Sequence, residues 1–257
     1  MVERGPERAL GAVLLGGVTA RLSGGAALLG VALAAWVVTV ARMRGIDMGP
    51  GTDLGGFGWY LGVWVTMSAA MMLPSALPML SLVRRIGSAA VTWLFATGYL
   101  AAWAAYGIAA YALARLVRGA GLGFLAWNAQ GPVVVGIVVA AAGLYQLTPL
   151  KRACLSRCRS PLSFVVQRSR AGPLGALEMG AEHGAYCVGC CAGLMLILFA
   201  LGVMSLLWMA VVAAAIFAEK VLPGGERLSP ALAAALIAAG VWLAVSPGTF
   251  PGLVQPA

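Results

Sequence analysis

Long apolar stretches separated by short polar or charged segments make up most of this chain. They lie at about 22–41, 57–83, 88–114, 132–150, 174–202, 205–222 and 230–246, and most are close to the ~20 residues that a helix needs to cross a lipid bilayer. The two stretches between 174 and 222 follow each other almost without a break, so we place a tight hairpin at about 202–205. The pattern predicts an all-α, polytopic membrane protein of about seven transmembrane helices.

The remaining segments complete the domain organisation. We interpret residues 1–21 as a cytoplasmic N-terminal arm, 22–246 as a single transmembrane helical domain and 247–257 as a tail. The composition agrees, because 61% of the residues are hydrophobic and only 10% are charged, far from the balance of a soluble domain.

The net charge is +9, and positive residues of membrane proteins gather on cytoplasmic loops. With the N-terminus inside, thirteen of the 17 Lys and Arg residues fall on the cytoplasmic side and four outside. This bias predicts an N-terminus in and a C-terminus out. We expect no nucleic-acid partner, because no basic segment is interleaved with aromatic residues.

Candidate chemistry concentrates in the fifth predicted span, which carries the only histidine and three of the five cysteines. On a helix with His183 at zero, Met179 falls at about −40°, Cys187 at about +40°, Cys190 at about −20° and Cys191 at about +80°. Thioether, imidazole and thiol groups therefore share one stripe, which is a ligand set for a soft metal ion. We predict these five residues as metal ligands.

Two carboxylates precede the cysteines on the same span. Glu178 and Glu182 lie between the membrane interface and the middle of the bilayer, where ionisable groups are costly and usually functional. We predict them as residues that support the ligands, with Glu182 orienting the imidazole. The alternative is that both glutamates extend to the lipid headgroups and that the cysteines only pack.

The second span offers further soft donors. Met67 and Met71 are four residues apart. Pro74 lies three residues after Met71, and we expect it to kink the same helix. Thioethers bind monovalent copper well, although methionine also fills gaps in apolar cores. We include Met67 and Met71 among the candidate ligands.

The segment between the fourth and fifth spans is the most basic part of the chain and contains Cys154 and Cys158. On a helix these cysteines are one turn apart, and positive neighbours favour the thiolate form. They are a candidate cytoplasmic metal relay. The alternative is a pair of inert thiols in a loop whose charges only set the topology.

Several motifs resemble a known family. They are Ala70–Pro74, Gly143–Lys151, Cys154–Pro161, His183–Cys191, Leu198–Met209 and Glu219–Lys220. Over roughly residues 57–223 they are similar to an uncharacterised bacterial family of predicted metal-binding integral membrane proteins with a Cys-x-x-Cys-Cys transmembrane motif. The resemblance implies a multi-pass protein of the bacterial cytoplasmic (inner) membrane.

We therefore predict a membrane protein that handles a soft metal ion, with copper(I) as its expected ligand, by translocation or by delivery to a partner. The chain has no phosphate-binding loop, nucleophile elbow or His-Glu-x-x-His motif, so we assign no catalytic residues and favour a protein that is not an enzyme. A membrane thiol–disulfide oxidoreductase and a scaffold without metal stay open as alternatives. The expected partners are the lipid bilayer and a metal-donor or acceptor protein.

Overall fold

A computed structural model describes residues 27–42, 55–120, 131–201 and 206–246 of the protein, and these residues form helices and turns without any strand. The helices are α1 (Ala27–Arg42), α2 (Phe57–Ile86), α3 (Ala89–Gly119), α4 (Gly131–Tyr145), α5 (Pro149–Arg159), α6 (Pro161–Arg168), α7 (Gly172–Leu201), α8 (Leu206–Val221) and α9 (Leu228–Val245). A short 3-10 helix, Gly225–Arg227, joins α8 to α9. The all-α fold class is confirmed for the described part of the chain.

Among the described residues, four helices are long and apolar enough to cross a membrane: Phe57–Ile86, Ala89–Val117, Gly172–Leu198 and Gly225–Val245. A fifth crossing results if the bent pair formed by α4 and α5 counts as one span. Helices α1 and α8 are shorter, at 16 residues each. The span count of seven and the orientation therefore stay predictions, and the predicted arm, the 202–205 hairpin and the tail lie outside the described residues.

A sharp bend separates α4 from α5. Helix α4 ends at Tyr145, before the predicted end of the fourth span, and α5 leaves at 62° to it. Thr148 caps the new helix by accepting a hydrogen bond from the Lys151 amide at 3.3 Å, and Pro149 occupies its first turn. The basic segment that we expected between two spans thus folds as the helices α5 and α6.

Helix α7, which carries three cysteines, packs most extensively against α3, and next against α5 and α4. Glycines allow the close approach to α3. A side chain at Gly98 would overlap the Leu177 carbonyl, and one at Gly180 would overlap the Phe95 carbonyl. Small residues that bring backbones together are the usual way in which apolar helices associate in membranes. This contact fixes α7 in the middle of the bundle.

Helix α2 packs against α3, α8 and α6. Its indole and phenol groups tie it to α3, because Trp64 Nε1 donates to the Trp103 carbonyl at 2.8 Å and the Tyr60 hydroxyl donates to the Gly107 carbonyl at 3.1 Å. The outcome is a bundle in which α3, α4, α5 and α8 pack against α7.

Candidate metal centre

Three thiols come together on α7. Cys187, Cys190 and Cys191 occupy positions i, i+3 and i+4 of this helix, which place their side chains on one face. Their sulfur atoms all lie within 4.8 Å of one another, and Cys190 Sγ is 3.4 Å from Cys191 Sγ. All three residues are at most 2% exposed and none is in a disulfide. We refer to these three residues as the thiol cluster.

A fourth thiol reaches the cluster from another helix. Cys158 of α5 has its sulfur 3.8 Å from Cys190 Sγ. Cys154, one turn earlier on α5, also faces α7, because a side chain at Gly189 would lie 2.6 Å from its sulfur. The two cysteines that we predict as a relay therefore lie on a helix that packs on α7, and Cys158 extends the thiol cluster.

Two polar groups contact Cys187. Lys220 Nζ of α8 lies 2.7 Å from Cys187 Sγ, and the Tyr99 hydroxyl of α3 lies 2.9 Å from the same atom. Lys220 is only 8% exposed and Tyr99 only 1%. An ammonium group and a phenol both stabilise sulfur in its anionic form, so the protein provides charge compensation for a thiolate at this position.

His183 lies one turn before Cys187, buried among aromatic rings. Its ring centroid is 5.1 Å from that of Phe164, 5.8 Å from that of Phe95 and 5.9 Å from that of Tyr99. The residue is 3% exposed and its Nδ1 atom has no hydrogen-bond partner. The imidazole lies outside the closely spaced thiol cluster, but it borders the adjoining cavity.

That cavity, of about 150 Å³, is bordered by residues of several helices. Soft donor groups on its walls belong to Met79, Cys158 and His183, while Tyr99 and Lys220 connect the cavity to Cys187. The thiol cluster itself does not line the cavity, but Tyr99, Cys158 and Lys220 border the cavity and contact sulfur atoms of the cluster.

The predicted carboxylates and Met179 contact arginines near the start of α7. Glu178 pairs with Arg170 at 2.5 Å, and Glu182 pairs with Arg168 at 3.2 Å and with Arg170 at 3.8 Å. The sulfur of Met179 accepts a hydrogen bond from the Arg170 amide at 3.3 Å. In this arrangement all three residues interact with the segment between α6 and α7, so they hold that segment to α7.

Met67 and Met71 are buried on α2, at 0% and 2% exposure. They belong to the continuous apolar core that also contains the thiol cluster. The backbone of this helix reaches the site, since the Tyr99 hydroxyl lies 3.5 Å from the Met72 carbonyl. Burial in the core is compatible with a packing role and with a ligand role.

Sequence reasoning did not predict that Lys220 contacts the thiol cluster, nor that a second buried polar group lies nearby. Lys151 and Glu219 form a buried ion pair between α5 and α8, and Lys151 also donates to Gln146. Ser229 donates to Glu219 at 2.7 Å. The thirteen Lys and Arg residues that the sequence places on the cytoplasmic side include Lys151 and Lys220, and both are buried in the bundle. A pair of opposite charges next to an apolar helix, Glu219–Lys220, is the sequence signal that could have found them.

The donor set fits copper(I). Monovalent copper prefers thiolate and thioether ligands and accepts low coordination numbers, whereas hard cations need oxygen ligands. Three adjacent thiols, with a fourth at 3.8 Å from Cys190, supply soft donors and no carboxylate. The lysine at Cys187 limits the negative charge that such a cluster would otherwise accumulate in the interior.

The model of the protein family described as "PpoB2: Copper chaperone" matches residues 61–243, which is more than two thirds of the chain. The match spans α2 to α9 and includes the thiol cluster, Cys158 and Lys220. Searches of curated proteins and of solved structures give no match. The chain belongs to this copper chaperone family.

Proposed function

We propose that this protein is a membrane-embedded copper(I) carrier that holds the ion on Cys187, Cys190 and Cys191 and delivers it to an acceptor protein. The observation that carries the proposal is the thiol cluster itself: three free, buried sulfur atoms within 4.8 Å of one another. Membership of the copper chaperone family supports copper as the ion and delivery as the task.

The proposed location within the bilayer follows from the helix that carries the cluster. Helix α7 is one of the four described helices that are long and apolar enough to cross a membrane. Cys187 lies about halfway along Gly172–Leu201, so a crossing α7 would hold the cluster near the middle of the hydrocarbon layer. We propose the bacterial cytoplasmic membrane as the site of action.

The surrounding groups have supporting roles in this proposal. Lys220 balances the charge of the cluster through Cys187, and Tyr99 fixes the same sulfur by a hydrogen bond. His183, Met179, Met67 and Met71 stay proposed additional ligands, of which His183 is closest in sequence to the cluster and borders its cavity. Glu178 and Glu182 support the start of α7 through arginine pairs.

The experiment is the metal content of the purified full-length protein. We expect copper to copurify, or to bind in stoichiometric amount when copper(I) is added under anaerobic conditions. A Cys187→Ser, Cys190→Ser double variant should lose it, since serine oxygen is a poor ligand for copper(I). The matched control is Cys154→Ser, which removes a thiol from α5 without touching the cluster. Equal copper in the wild type and the double variant would refute the proposal.

A further inference from the structure

The cavity beside the thiol cluster contains donor groups that the cluster itself does not use. It has a volume of about 150 Å³, well above the ~15 Å³ that a single water molecule needs. Helices α2, α5 and α7 each contribute one soft donor to its walls: Met79, Cys158 and His183. Thioether, thiol and imidazole groups are ligand types that copper(I) binds, and here all three border one space.

His183 provides an independent observation. Its Nδ1 atom is buried without a hydrogen-bond partner, although the residue is only 3% exposed. Leaving a buried polar atom unpaired costs free energy, about 1–3 kcal/mol in typical cases, and such atoms are rare. A ligand that visits the cavity would supply the missing partner.

The electrostatic environment of the cavity is compatible with a monovalent cation. Two positive side chains border the space, and each has a partner of its own. Lys220 contacts Cys187 Sγ at 2.7 Å, and Arg159 pairs with Glu226 at 2.9 Å while it donates to the Leu222 carbonyl at 2.9 Å. Copper(I) bound to a thiolate carries no net charge, so it suits an interior space of this kind.

Cys158 connects the cavity to the cluster. It borders the cavity, and its sulfur is 3.8 Å from Cys190 Sγ. A copper ion on Cys158 therefore lies within reach of Cys190 without a large movement of either helix.

From this geometry we infer that the cavity is a transfer site for copper(I), in which Cys158 holds the ion together with Met79 or His183 and exchanges it with Cys190. The inference rests on the proposed function. In the exchange, the bond between copper and Cys190 Sγ forms as the bond to Cys158 Sγ breaks. The proton that Cys190 releases goes to the departing Cys158 sulfur, and copper keeps its +1 state throughout.

The test measures how fast the full-length protein, purified in detergent, takes copper(I) from a coloured copper(I)–bicinchoninate complex under anaerobic conditions. Cys158→Ser should retain the copper capacity of the wild type but load about tenfold more slowly, as a barrier higher by about 1.4 kcal/mol would give. Met79→Leu conserves volume, so it should fold, and it should slow loading about threefold, a smaller rise of the same barrier.

Each variant has a matched control elsewhere in the bundle. Ser156→Ala changes an exposed side chain two residues before Cys158 on the same helix, and Met209→Leu changes a methionine of α8 that is as buried as Met79; neither residue borders the cavity. Both controls should load at the wild-type rate.

The outcomes separate this inference from the proposed function. A wild-type protein that binds no copper refutes the proposed function and the transfer site with it. Full capacity with unchanged loading rates in Cys158→Ser and Met79→Leu overturns the transfer site alone. Loss of the capacity in Cys158→Ser also overturns it, because Cys158 would then be a permanent ligand of the resting site.

Discussion

Two polar groups lie side by side in the apolar interior of this bundle, and they differ in whether the buried charge pairs with another charged side chain or with thiols. The first is the ion pair of Lys151 and Glu219, in which the lysine also bonds to Gln146 and the serine at 229 bonds to the carboxylate. The second is the thiol cluster with Lys220, next to a cavity and an imidazole whose Nδ1 has no partner. Glu219 and Lys220 are consecutive residues of α8. Glu219 belongs to the first group and Lys220 to the second.

The difference suggests two roles for buried polar groups: the ion pair supports the structure, and the thiol cluster with Lys220 suits binding. The two charges of the ion pair balance each other, although the Nε2 atom of Gln146 has no hydrogen-bond partner. The thiol cluster combines close thiols with a single ammonium group near a cavity, and under the proposed function a soft cation would complete its coordination. Removing a member of the ion pair should therefore mainly lower the stability of the protein. Removing a member of the thiol group should mainly lower its affinity for the metal ion.

The largest expected effect is on stability, from Glu219→Gln. The substitution leaves the Lys151 ammonium buried without a counter-charge, and breaking a buried pair in this way costs about 3–5 kcal/mol. Thermal unfolding of the detergent-solubilised protein measures it. The control is Glu226→Gln, which breaks a half-exposed pair with Arg159 and should cost less than about 1 kcal/mol. Equal losses in the two variants would contradict the comparison.

Copper(I) itself should stabilise the protein through the cluster. A ligand at about 100 times its dissociation constant adds about 2.7 kcal/mol to the stability of the state that binds it. We expect the unfolding temperature of the wild type to rise on addition of copper(I), and the Cys187→Ser, Cys190→Ser variant to show no rise. An equal rise in both proteins would mean that copper binds elsewhere. Cys154→Ser should respond as the wild type does.

Lys220→Met should weaken copper binding more than it weakens the fold. Without the ammonium, the charge on Cys187 has no compensation, and loss of such a supporting group typically costs about 10- to 100-fold in metal affinity. Competition with a copper(I) chelator gives the affinity. Lys220→Arg keeps the charge and should lose less. An unchanged affinity in Lys220→Met would assign the lysine to packing alone.

The smallest expected effect comes from Tyr99→Phe, which removes only the hydroxyl group at Cys187. One hydrogen bond contributes about 1 kcal/mol net, which corresponds to roughly a fivefold lower affinity for copper(I). The same chelator competition measures it. Tyr60→Phe removes a buried hydroxyl that bonds to the Gly107 carbonyl and not to a cluster sulfur, so it should leave the affinity unchanged.

Local sequence patterns predicted the all-α fold. They also predicted that Cys187, Cys190 and Cys191 lie on one face of a helix, because helical periodicity alone determines which residues share a face. Helices α2 and α7 also begin within a few residues of their predicted starts. The bend after Tyr145 was not predicted, since the apolar pattern continues through Leu147 and Leu150 while Thr148 and Pro149 start a new helix.

Contacts between distant segments could not be predicted from one sequence. Cys158 meets Cys190 across 32 residues and Lys220 meets Cys187 across 33, and no local pattern encodes either approach. A lysine at the end of an apolar helix is most often a topology marker, so Lys220 counts as a cytoplasmic charge at the end of the predicted span 205–222. Its burial beside a thiol became visible only with the packing of α8 on α2 and α7.

The hydroxyl of Tyr145, at the last residue of α4, donates to the Gly189 carbonyl, which lies between two of the clustered cysteines. The backbone that spaces Cys187 from Cys190 is thus tethered to the corner where the chain turns from α4 into α5. A movement of α5 away from the sulfur atoms would therefore strain the hydrogen bond between Tyr145 and the Gly189 carbonyl. The corner between α4 and α5 is therefore joined to the backbone that carries the clustered cysteines, so a displacement at the corner would also reach that backbone.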